Sequence, residues 1–271
     1  MTASRLRVAA VQTLSGDDVA ENLRASEELV AEAARQGARL VLLPEYFGIF
    51  GSHATAKVAA RETDGEGPQQ KALARMAREH GIWLIGGTVP LAIPDPGRVR
   101  SASLVFAPDG RRIARYDKIH LFAFSQGKER YDEGKTIEPG GEPVAFEAPC
   151  GRVALSVCYD LRFPELYRSF DDLALILVPS AFTAVTGAAH WHVLLRARAI
   201  ENQCYVLAAA QGGTHANGRR TYGHSILIDP WGVIVAERPE GPGVIAGDVD
   251  PERIAQVRRD LPALAHRRLR A

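Results

Sequence analysis

Three polar residues stand at the ends of apolar runs, in a pattern that could serve catalysis. Glu45 ends the run LVLLPE, Lys118 lies in RYDKIHLF, and Cys158 ends ALSVC. In sheets covered by helices, strand ends are where side chains leave the core and ligands bind. Taken singly, these residues are typical of a surface acid, a solvated amine and a small buried thiol. Taken together, they form a complete set for attack on an amide-type carbon.

Each of these side chains has a predicted part in such an attack. A thiol with a pKa of about 8.5 is mostly protonated at neutral pH, so a carboxylate must take its proton as it attacks. We predict Glu45 as this base for Cys158. The Lys118 ammonium and the backbone N–H of Tyr159 are expected to stabilise the oxyanion, where one donor contributes about 3 kcal/mol. Glu45 would then protonate the leaving group and activate the water that hydrolyses the thioester.

Arg162, four residues after Cys158, indicates the kind of substrate. Its planar guanidinium can bind a free carboxylate in bidentate fashion, as in the monoamide of a dicarboxylic acid. The alternative is an ion pair of Arg162 with Glu165 or Asp160 that only stiffens the loop. We therefore predict a carboxylate-bearing amide and leave the ion pair open.

Two similar series of strands and helices must position these residues. Unbroken apolar runs predict buried strands, helical spacing predicts helices, and turn signals predict hairpins. The predicted strands cover residues 6–13, 40–43, 82–89, 102–107, 112–118, 143–148, 153–158, 173–179, 204–210, 225–229, 233–237 and 244–249. The predicted helices are one that ends at Gly37 and those at 69–80, 190–202 and 251–259.

This order predicts the fold class. Helices that alternate with fully apolar strands need a sheet that they cover on its outer side, and the hairpins add antiparallel strands. Two such halves can stack, so we predict an α/β fold, an αββα sandwich of two mixed sheets in one domain over residues 1–271, with about ten C-terminal residues as a solvated basic arm. The longest predicted irregular stretch, residues 120–142, is polar, and such loops are usually functional.

Composition excludes several classes of protein. The 271 residues are 46% hydrophobic, which is enough for a large core, and a formal charge of +1 gives no field to attract nucleic acid or an anionic membrane. No apolar run approaches the ~18 residues of a membrane span, and we predict a cytoplasmic protein. The three cysteines form no Cys-x-x-Cys pair, so Cys150 and Cys204 are expected to be structural, with neither disulfides nor structural zinc.

The segments around Glu45, Lys118 and Cys158 resemble, in that order, the Glu-Lys-Cys signature of the nitrilase superfamily of carbon–nitrogen hydrolases. The resemblance covers nearly the whole chain and is densest in CYDLRFPEL (158–166), PSAFTAVTGAAHW (179–191), LLRARAIENQCYV (194–206) and YGHS (222–225). It implies an αββα fold that is usually dimeric and that needs no metal or organic cofactor.

The resemblance also implies further site residues. The family has a second glutamate that positions the lysine a few residues before a Pro-Gly, and EGKTIEPG points to Glu133, with Glu129 as the alternative. Arg162, Phe182 and Thr186 are expected to line the acyl pocket.

Within the superfamily, the run from residue 194 is most similar to the branch of deaminated glutathione amidases and ω-amidases. This implies an amidohydrolase that releases ammonia from a linear carboxylate-bearing amide, with deaminated glutathione as the first choice and metabolite repair as the role. The alternatives are 2-oxoglutaramate or 2-oxosuccinamate, then a nitrile or an N-carbamoyl amino acid. An idle binding scaffold is disfavoured, because it would have no need for all three reactive residues.

One position departs from the pattern of the relatives. His192 follows Trp191 where relatives often have glutamate, and this affects the choice of substrate rather than the reaction. His190 and His192 lack Glu-x-x-His spacing and cysteine neighbours, so by themselves they predict no metal site.

Overall fold

Two six-stranded sheets form the centre of the protein, as predicted. The computed structural model describes residues 3–126 and 129–269, without the side chains of residues 126–129. Strands and helices are numbered in chain order. The first sheet contains β1 (Leu6–Gln12), β2 (Leu40–Leu42), β3 (Trp83–Ala92), β4 (Val99–Phe106), β5 (Arg112–Asp117) and β16 (Gly243–Val249). The second contains β8 (Ala145–Ala148), β9 (Gly151–Leu155), β10 (Leu173–Ser180), β11 (Tyr205–Ala210), β14 (Ser225–Ile228) and β15 (Ile234–Arg238).

Both sheets follow one plan. In the first, β1, β2 and β3 are parallel neighbours, with antiparallel β16 at one side and the antiparallel strands β4 and β5 at the other. In the second, β9, β10 and β11 are the parallel centre, flanked by β8 on one side and by β14 and β15 on the other. The repeat of elements in the sequence is therefore a repeat of sheet topology.

Helices cover the outer face of each sheet. They are α1 (Val19–Arg35), α2 (Ala56–Ala59), α3 (Pro68–His80), α4 (Pro164–Arg168), α5 (Ala184–Asn202) and α6 (Pro251–Asp260). Because side chains alternate across a strand, Val8 and Ala10 of β1 join the core that includes both sheets, while Ala9 and Val11 join the core beneath α1 and α3. Helix α5 buries Trp191, Leu195 and Ala199. The order of layers is thus helix, sheet, sheet, helix, and the predicted αββα class is confirmed.

Several element boundaries differ from the prediction. Helix α5 begins at Ala184 instead of residue 190, because the Thr183 side chain accepts a hydrogen bond from the Thr186 N–H and caps it. Strand β9 ends at Leu155, and Cys158 opens a short 3-10 helix instead of ending a strand. In each case a local capping or turn conformation decided the boundary.

The predicted irregular stretch 120–142 is wrong in part. It contains a small hairpin of β6 (Ala123–Gln126) and β7 (Glu129–Asp132), followed by a 3-10 helix at Glu133–Lys135. A second unpredicted hairpin pairs β12 (Gly212–Thr214) with β13 (Arg220–Tyr222). These short polar strands lack the apolar pattern on which sequence prediction depends. Within residues 3–126 and 129–269, no helix is long and apolar enough to cross a membrane.

Candidate active site

Glu45, Lys118 and Cys158 all lie just beyond the carboxyl end of a strand. Glu45 follows β2, Lys118 follows β5 directly, and Cys158 follows β9. The Lys118 backbone is held on both sides, since its N–H donates to Ser101 O at 3.0 Å and its carbonyl accepts from the Gly140 N–H at 2.8 Å. The sheets therefore deliver three side chains to one place.

The reactive side chains meet in a buried cluster. Lys118 Nζ lies 2.8 Å from Glu45 Oε1 and 2.8 Å from Glu133 Oε2. The Cys158 side chain lies close enough to the Glu45 carboxyl to favour its charged form. The side chains of Lys118 and Glu45 are only 0% and 1% exposed, so little water screens their charges. The Lys118 amine thus bonds to both carboxylates, and the Cys158 thiol is near enough to interact electrostatically with all three groups.

Cys158 is presented by an unusual backbone conformation. Its φ is +50°, in the left-handed region that residues with a side chain rarely adopt and that is common at functional sites. The Ala181 backbone N–H lies close enough to the Cys158 side chain to favour its charged form, and both residues line one cavity. Tyr159 lies in the first turn of the 3-10 helix, where N–H groups have no acceptor within the helix. Its N–H can therefore serve a ligand beside the sulfur.

Of the two candidate second glutamates, Glu133 lies beside Lys118. Its other oxygen accepts a hydrogen bond from the Tyr46 hydroxyl at 2.7 Å, and Oε2 also accepts from the Phe122 N–H at 2.8 Å. The side chain of Glu129 lies outside the described residues. Tyr46 and Phe122 thus fix the Glu133 carboxylate by hydrogen bonds, and this carboxylate fixes the Lys118 ammonium.

The pKa values of the two carboxyl groups are shifted in opposite directions. Burial raises the pKa of the Glu45 carboxyl, and the charge of Glu133 adds to this, although Lys118 opposes it. Burial also disfavours the charge on Glu133, but Lys118 and the hydrogen bonds to this group lower its pKa. Glu133 therefore remains ionised, whereas Glu45 is the carboxyl more ready to accept a proton.

The amine and the thiol both keep their protons at rest. Burial disfavours the charge on Lys118, yet the two carboxylates raise the pKa of its ammonium well above 10.5. Burial, with the charge of Glu45, raises the pKa of the Cys158 thiol well above its ordinary value. A thiolate is therefore not formed in advance, and proton transfer to Glu45 must accompany any attack by the sulfur.

The predicted pocket residues surround Cys158. Tyr159, Arg162, Phe182 and Thr186 all line a cavity with it, and this cavity holds only about 10 Å³. Phe122 lines both this cavity and an adjoining cleft of about 610 Å³. An acyl group therefore needs side chains to move before it reaches the sulfur.

The Arg162 side chain is available to a ligand. Among the described residues it forms no ion pair, so the alternative with Glu165 or Asp160 is wrong there. Its guanidinium nitrogens lie 3.3 Å from His190 Nδ1, and its centre lies 5.6 Å from the rings of Tyr159 and Phe182. Stacking on these rings holds the Arg162 guanidinium in the cavity wall, while no carboxylate of the described residues pairs with its charge.

Sequence reasoning missed the role of Asp160, which it considered only as a partner of Arg162. This carboxylate is fully buried and accepts hydrogen bonds from the Tyr116 hydroxyl at 2.7 Å, the Val157 N–H at 2.8 Å and the His120 N–H at 2.9 Å. It joins the loop of Cys158 to the end of β5, where Lys118 lies. Its place two residues after the cysteine was the only sequence signal, since a buried acid needs partners that sequence does not reveal.

Comparisons with known proteins identify the family of the chain. Residues 7–259 match the carbon–nitrogen hydrolase family. The chain is 42% identical to the deaminated glutathione amidase of Synechocystis, over 96% of this chain and 97% of that one. It is 36% identical to the ω-amidase NIT2 of Xenopus tropicalis, over 98% and 96%. The crystal structure of Nit3 from Saccharomyces cerevisiae, a nitrilase superfamily member, superposes with a TM-score of 0.87 at 32% identity, over 98% and 97%. The chain therefore belongs to the carbon–nitrogen hydrolase family of the nitrilase superfamily and is a hydrolase of carbon–nitrogen bonds other than peptide bonds.

Proposed function

We propose that this chain is an amidase that forms a thioester on Cys158, with deaminated glutathione as its preferred substrate. The buried cluster beside Cys158, in which Lys118 bonds to both Glu45 and Glu133, is the observation that carries the proposal. The names of the relatives support the substrate, since deaminated glutathione amidases and ω-amidases both match along nearly the full chain. No cofactor takes part in the proposed steps.

In the first half-reaction, sulfur attacks the amide carbon while the thiol proton moves to Glu45. The carbonyl electrons move to oxygen, and the resulting oxyanion is bound by the Lys118 ammonium and the Tyr159 N–H. Glu133, held by Tyr46, keeps the ammonium in place. The C–N bond then breaks as Glu45 returns the proton to nitrogen, which leaves an acyl thioester and a neutral amine.

In the second half-reaction, water replaces the amine. Glu45 takes a proton from the water as its oxygen attacks the thioester carbon, and the same two donors bind the new oxyanion. Collapse expels the sulfur, which regains its proton from Glu45. The products are a carboxylic acid and the free Cys158 thiol, so the site returns to its starting state.

The leaving group depends on the substrate. An unsubstituted amide such as 2-oxoglutaramate releases ammonia, as the sequence analysis expects. In deaminated glutathione the nitrogen of the 2-oxoglutaryl amide belongs to a dipeptide, so the leaving group is the amine of that dipeptide and not ammonia. In both cases Arg162 would bind the carboxylate of the acyl part, and Tyr159, Phe182 and Thr186 would enclose it.

The adjoining cleft favours the longer substrate. Its lining includes Lys57 and Arg219, and within the described residues neither forms an ion pair. The Nε of Arg219 is buried without a hydrogen-bond partner, and its guanidinium lies over the rings of Phe50 and Tyr131. Deaminated glutathione carries a second carboxylate at its far end, whereas 2-oxoglutaramate does not. Arg219, whose Nε lacks a hydrogen-bond acceptor, could bind this second carboxylate, and this favours deaminated glutathione.

A trapping experiment tests the reaction. Incubation with substrate should give an acyl adduct on Cys158 by mass spectrometry, and Cys158→Ala should lose at least about 10⁴-fold in kcat/KM. Cys150→Ala is the matched control and should stay active, because Cys150 lines neither the cavity of Cys158 nor the adjoining cleft. Full activity in Cys158→Ala would overturn the proposal in favour of another nucleophile.

A comparison of substrates tests the specificity. We expect deaminated glutathione to have the higher kcat/KM, and Arg219→Met to lower that value about tenfold while leaving 2-oxoglutaramate unchanged. Arg111→Met, which removes a surface arginine paired with Asp109, is the control. A preference for 2-oxoglutaramate would make the chain an ω-amidase instead.

The setting of the enzyme is also part of the proposal. Three free cysteines suit a reducing compartment, and we place the enzyme in the cytoplasm. We propose that it acts on small-molecule amides as a single domain and assembles as a homodimer or a higher homo-oligomer.

A further inference from the structure

Two histidines and a glutamate from three separate elements meet on the outer side of the second sheet. His192 Nε2 of α5 lies 2.7 Å from Glu237 Oε1 of β15, and His224 Nδ1, just before β14, lies 2.5 Å from the same oxygen. One potential ligand atom from each residue lies within 4.8 Å of the other two. Within the part of the chain that the structure describes, this is the only group of three or more His, Cys, Asp or Glu placed to hold a metal ion.

The surrounding chain holds the His224 imidazole in position. Its φ is +57°, its N–H donates to Pro239 O at 3.0 Å, and its carbonyl accepts from Trp191 Nε1 at 2.9 Å. The Tyr222 ring stacks on the imidazole at 4.2 Å between centroids. A strained backbone with three restraints orients one ligand before any ion arrives.

The cluster is also open to solvent. The side chains of His192, His224 and Glu237 are 30%, 22% and 24% exposed, so an ion can enter and keep a water molecule. Two imidazole nitrogens and one carboxylate, with an open fourth position, are a ligand set typical of zinc sites that retain water. Imidazole favours zinc and its first-row neighbours over magnesium and calcium, which prefer oxygen.

The distances suit an ion that replaces the hydrogen bonds. Ligand atoms around tetrahedral zinc lie about 3.4 Å apart, given metal–ligand bonds of about 2.0–2.1 Å. The observed 2.7 and 2.5 Å separations must therefore widen by less than about 1 Å, which partly exposed side chains can do by small rotations. In the metal-bound state, each imidazole would carry its proton on the other ring nitrogen and offer a lone pair to the metal.

We propose that His192, His224 and Glu237 bind a divalent first-row transition ion, of which Zn²⁺ fits best. The site is separate from the proposed thioester chemistry. Sequence reasoning rejected a His190-x-His192 site, and His190 indeed faces Arg162 instead. The missing ligands come from β15 and from the turn before β14. A bound ion would connect α5 to β15 and to the turn before β14. The connection would lie beside Trp191, whose ring centroid is 4.8 Å from that of Phe182.

Metal binding by the untagged chain tests this proposal. The background is Cys158→Ala, so that the proposed nucleophile cannot bind the ion. Equilibrium dialysis with Zn²⁺ should give one ion per chain at micromolar concentration or below, and Co²⁺ should give the visible absorption of a four- or five-coordinate site. Mg²⁺ should not bind at these concentrations. Zn²⁺ should also raise the Tm.

Substitutions decide where the ion sits. His192→Gln and Glu237→Gln should each weaken Zn²⁺ binding at least tenfold and remove the rise in Tm. His190→Gln, on the same helix but outside the cluster, should behave as the parent. Circular dichroism without metal checks that the variants fold. Absence of a stoichiometric ion in the parent, or equal binding in His192→Gln, would overturn the proposal, and neither result depends on amide hydrolysis.

Discussion

Two glutamates share one lysine in this site, and their environments give them different tasks. Glu133 accepts hydrogen bonds from Tyr46 and from backbone, which stabilise its charge, while Glu45 faces a thiol in a dry setting. When the environment shifts the pKa values of two neighbouring titratable groups in opposite directions, one group is commonly the acid–base residue and the other a supporting charge. At the scale of single residues, the proposed reaction therefore requires Glu45 to be the carboxyl that exchanges protons with the thiol, the leaving group and water.

The pH dependence of kcat/KM should report Glu45. Burial raises the pKa of this carboxyl above its ordinary value of 4.5, and only the ionised form can accept the thiol proton. Activity should therefore fall as the pH is lowered through a pKa higher than 4.5, with full activity above it. Glu45→Gln should lose about 10²–10⁴-fold in kcat. A limb at or below 4.5 in a stable protein would contradict this assignment.

Glu133→Gln should separate positioning from binding. The amide cannot hold the Lys118 ammonium by charge, so we expect kcat to fall about 10²-fold with KM nearly unchanged. Glu133→Asp should recover part of the loss, and Glu142→Gln, at an exposed acid that lines neither the cavity nor the cleft, should have no effect. An increase in KM alone would instead assign Glu133 to substrate binding.

At the scale of elements, close backbone contacts fix where the strand ends lie. In β3, a Cβ on Gly87 would lie 1.8 Å from the carbonyl oxygen of Pro44, which directly precedes Glu45. Only glycine allows this approach, so the position of the catalytic loop depends on a residue of the neighbouring strand.

Gly87→Ala should therefore impair activity as well as stability. The added methyl group must push Pro44 away and displace Glu45, and a shift of about 1 Å can cost about 10²-fold in rate. Gly141→Ala is the control, because nothing lies within 4 Å of a Cβ there. Measurements of kcat and Tm should show both values lowered in the first variant and unchanged in the second. Normal kcat in Gly87→Ala would mean that the loop adapts.

At the scale of the whole molecule, one surface carries exposed apolar side chains. Val193 and Ile200 lie two helical turns apart on α5, and Ile200 reaches Gly232 between the exposed Trp231 and Val233. An apolar patch rimmed by polar groups is typical of a protein interface. Since the resemblance to the family implies dimers, we expect a second copy of the chain to cover it.

Light scattering after size exclusion should then give the mass of a dimer. Val193→Glu should shift it towards the monomer, because a buried unpaired charge is costly at an interface. Ile113→Glu changes another exposed apolar residue, on β5, and should leave the dimer intact. A monomeric parent protein, or a dimer that survives in Val193→Glu, would argue against this surface.

The sequence by itself determined the layers of this protein and the three residues at its strand ends. Unbroken apolar runs such as Leu40–Leu42 identify strands covered on both faces, and a polar residue after such a run must leave the core. These signals are local, because hydrophobic burial and backbone period act over a few neighbouring residues. The αββα class and the candidate trio could be predicted for this reason.

Only the tertiary structure decided the partners of those residues. The choice of Glu133 beside Lys118, the buried contacts of Asp160 and the meeting of His192 with Glu237 each join elements far apart in the chain. The two small hairpins also escaped prediction, since short polar strands have no periodic pattern. Side-chain contacts of this kind depend on how the sheets and helices are arranged in space, and the order of residues carries no local signal of that arrangement.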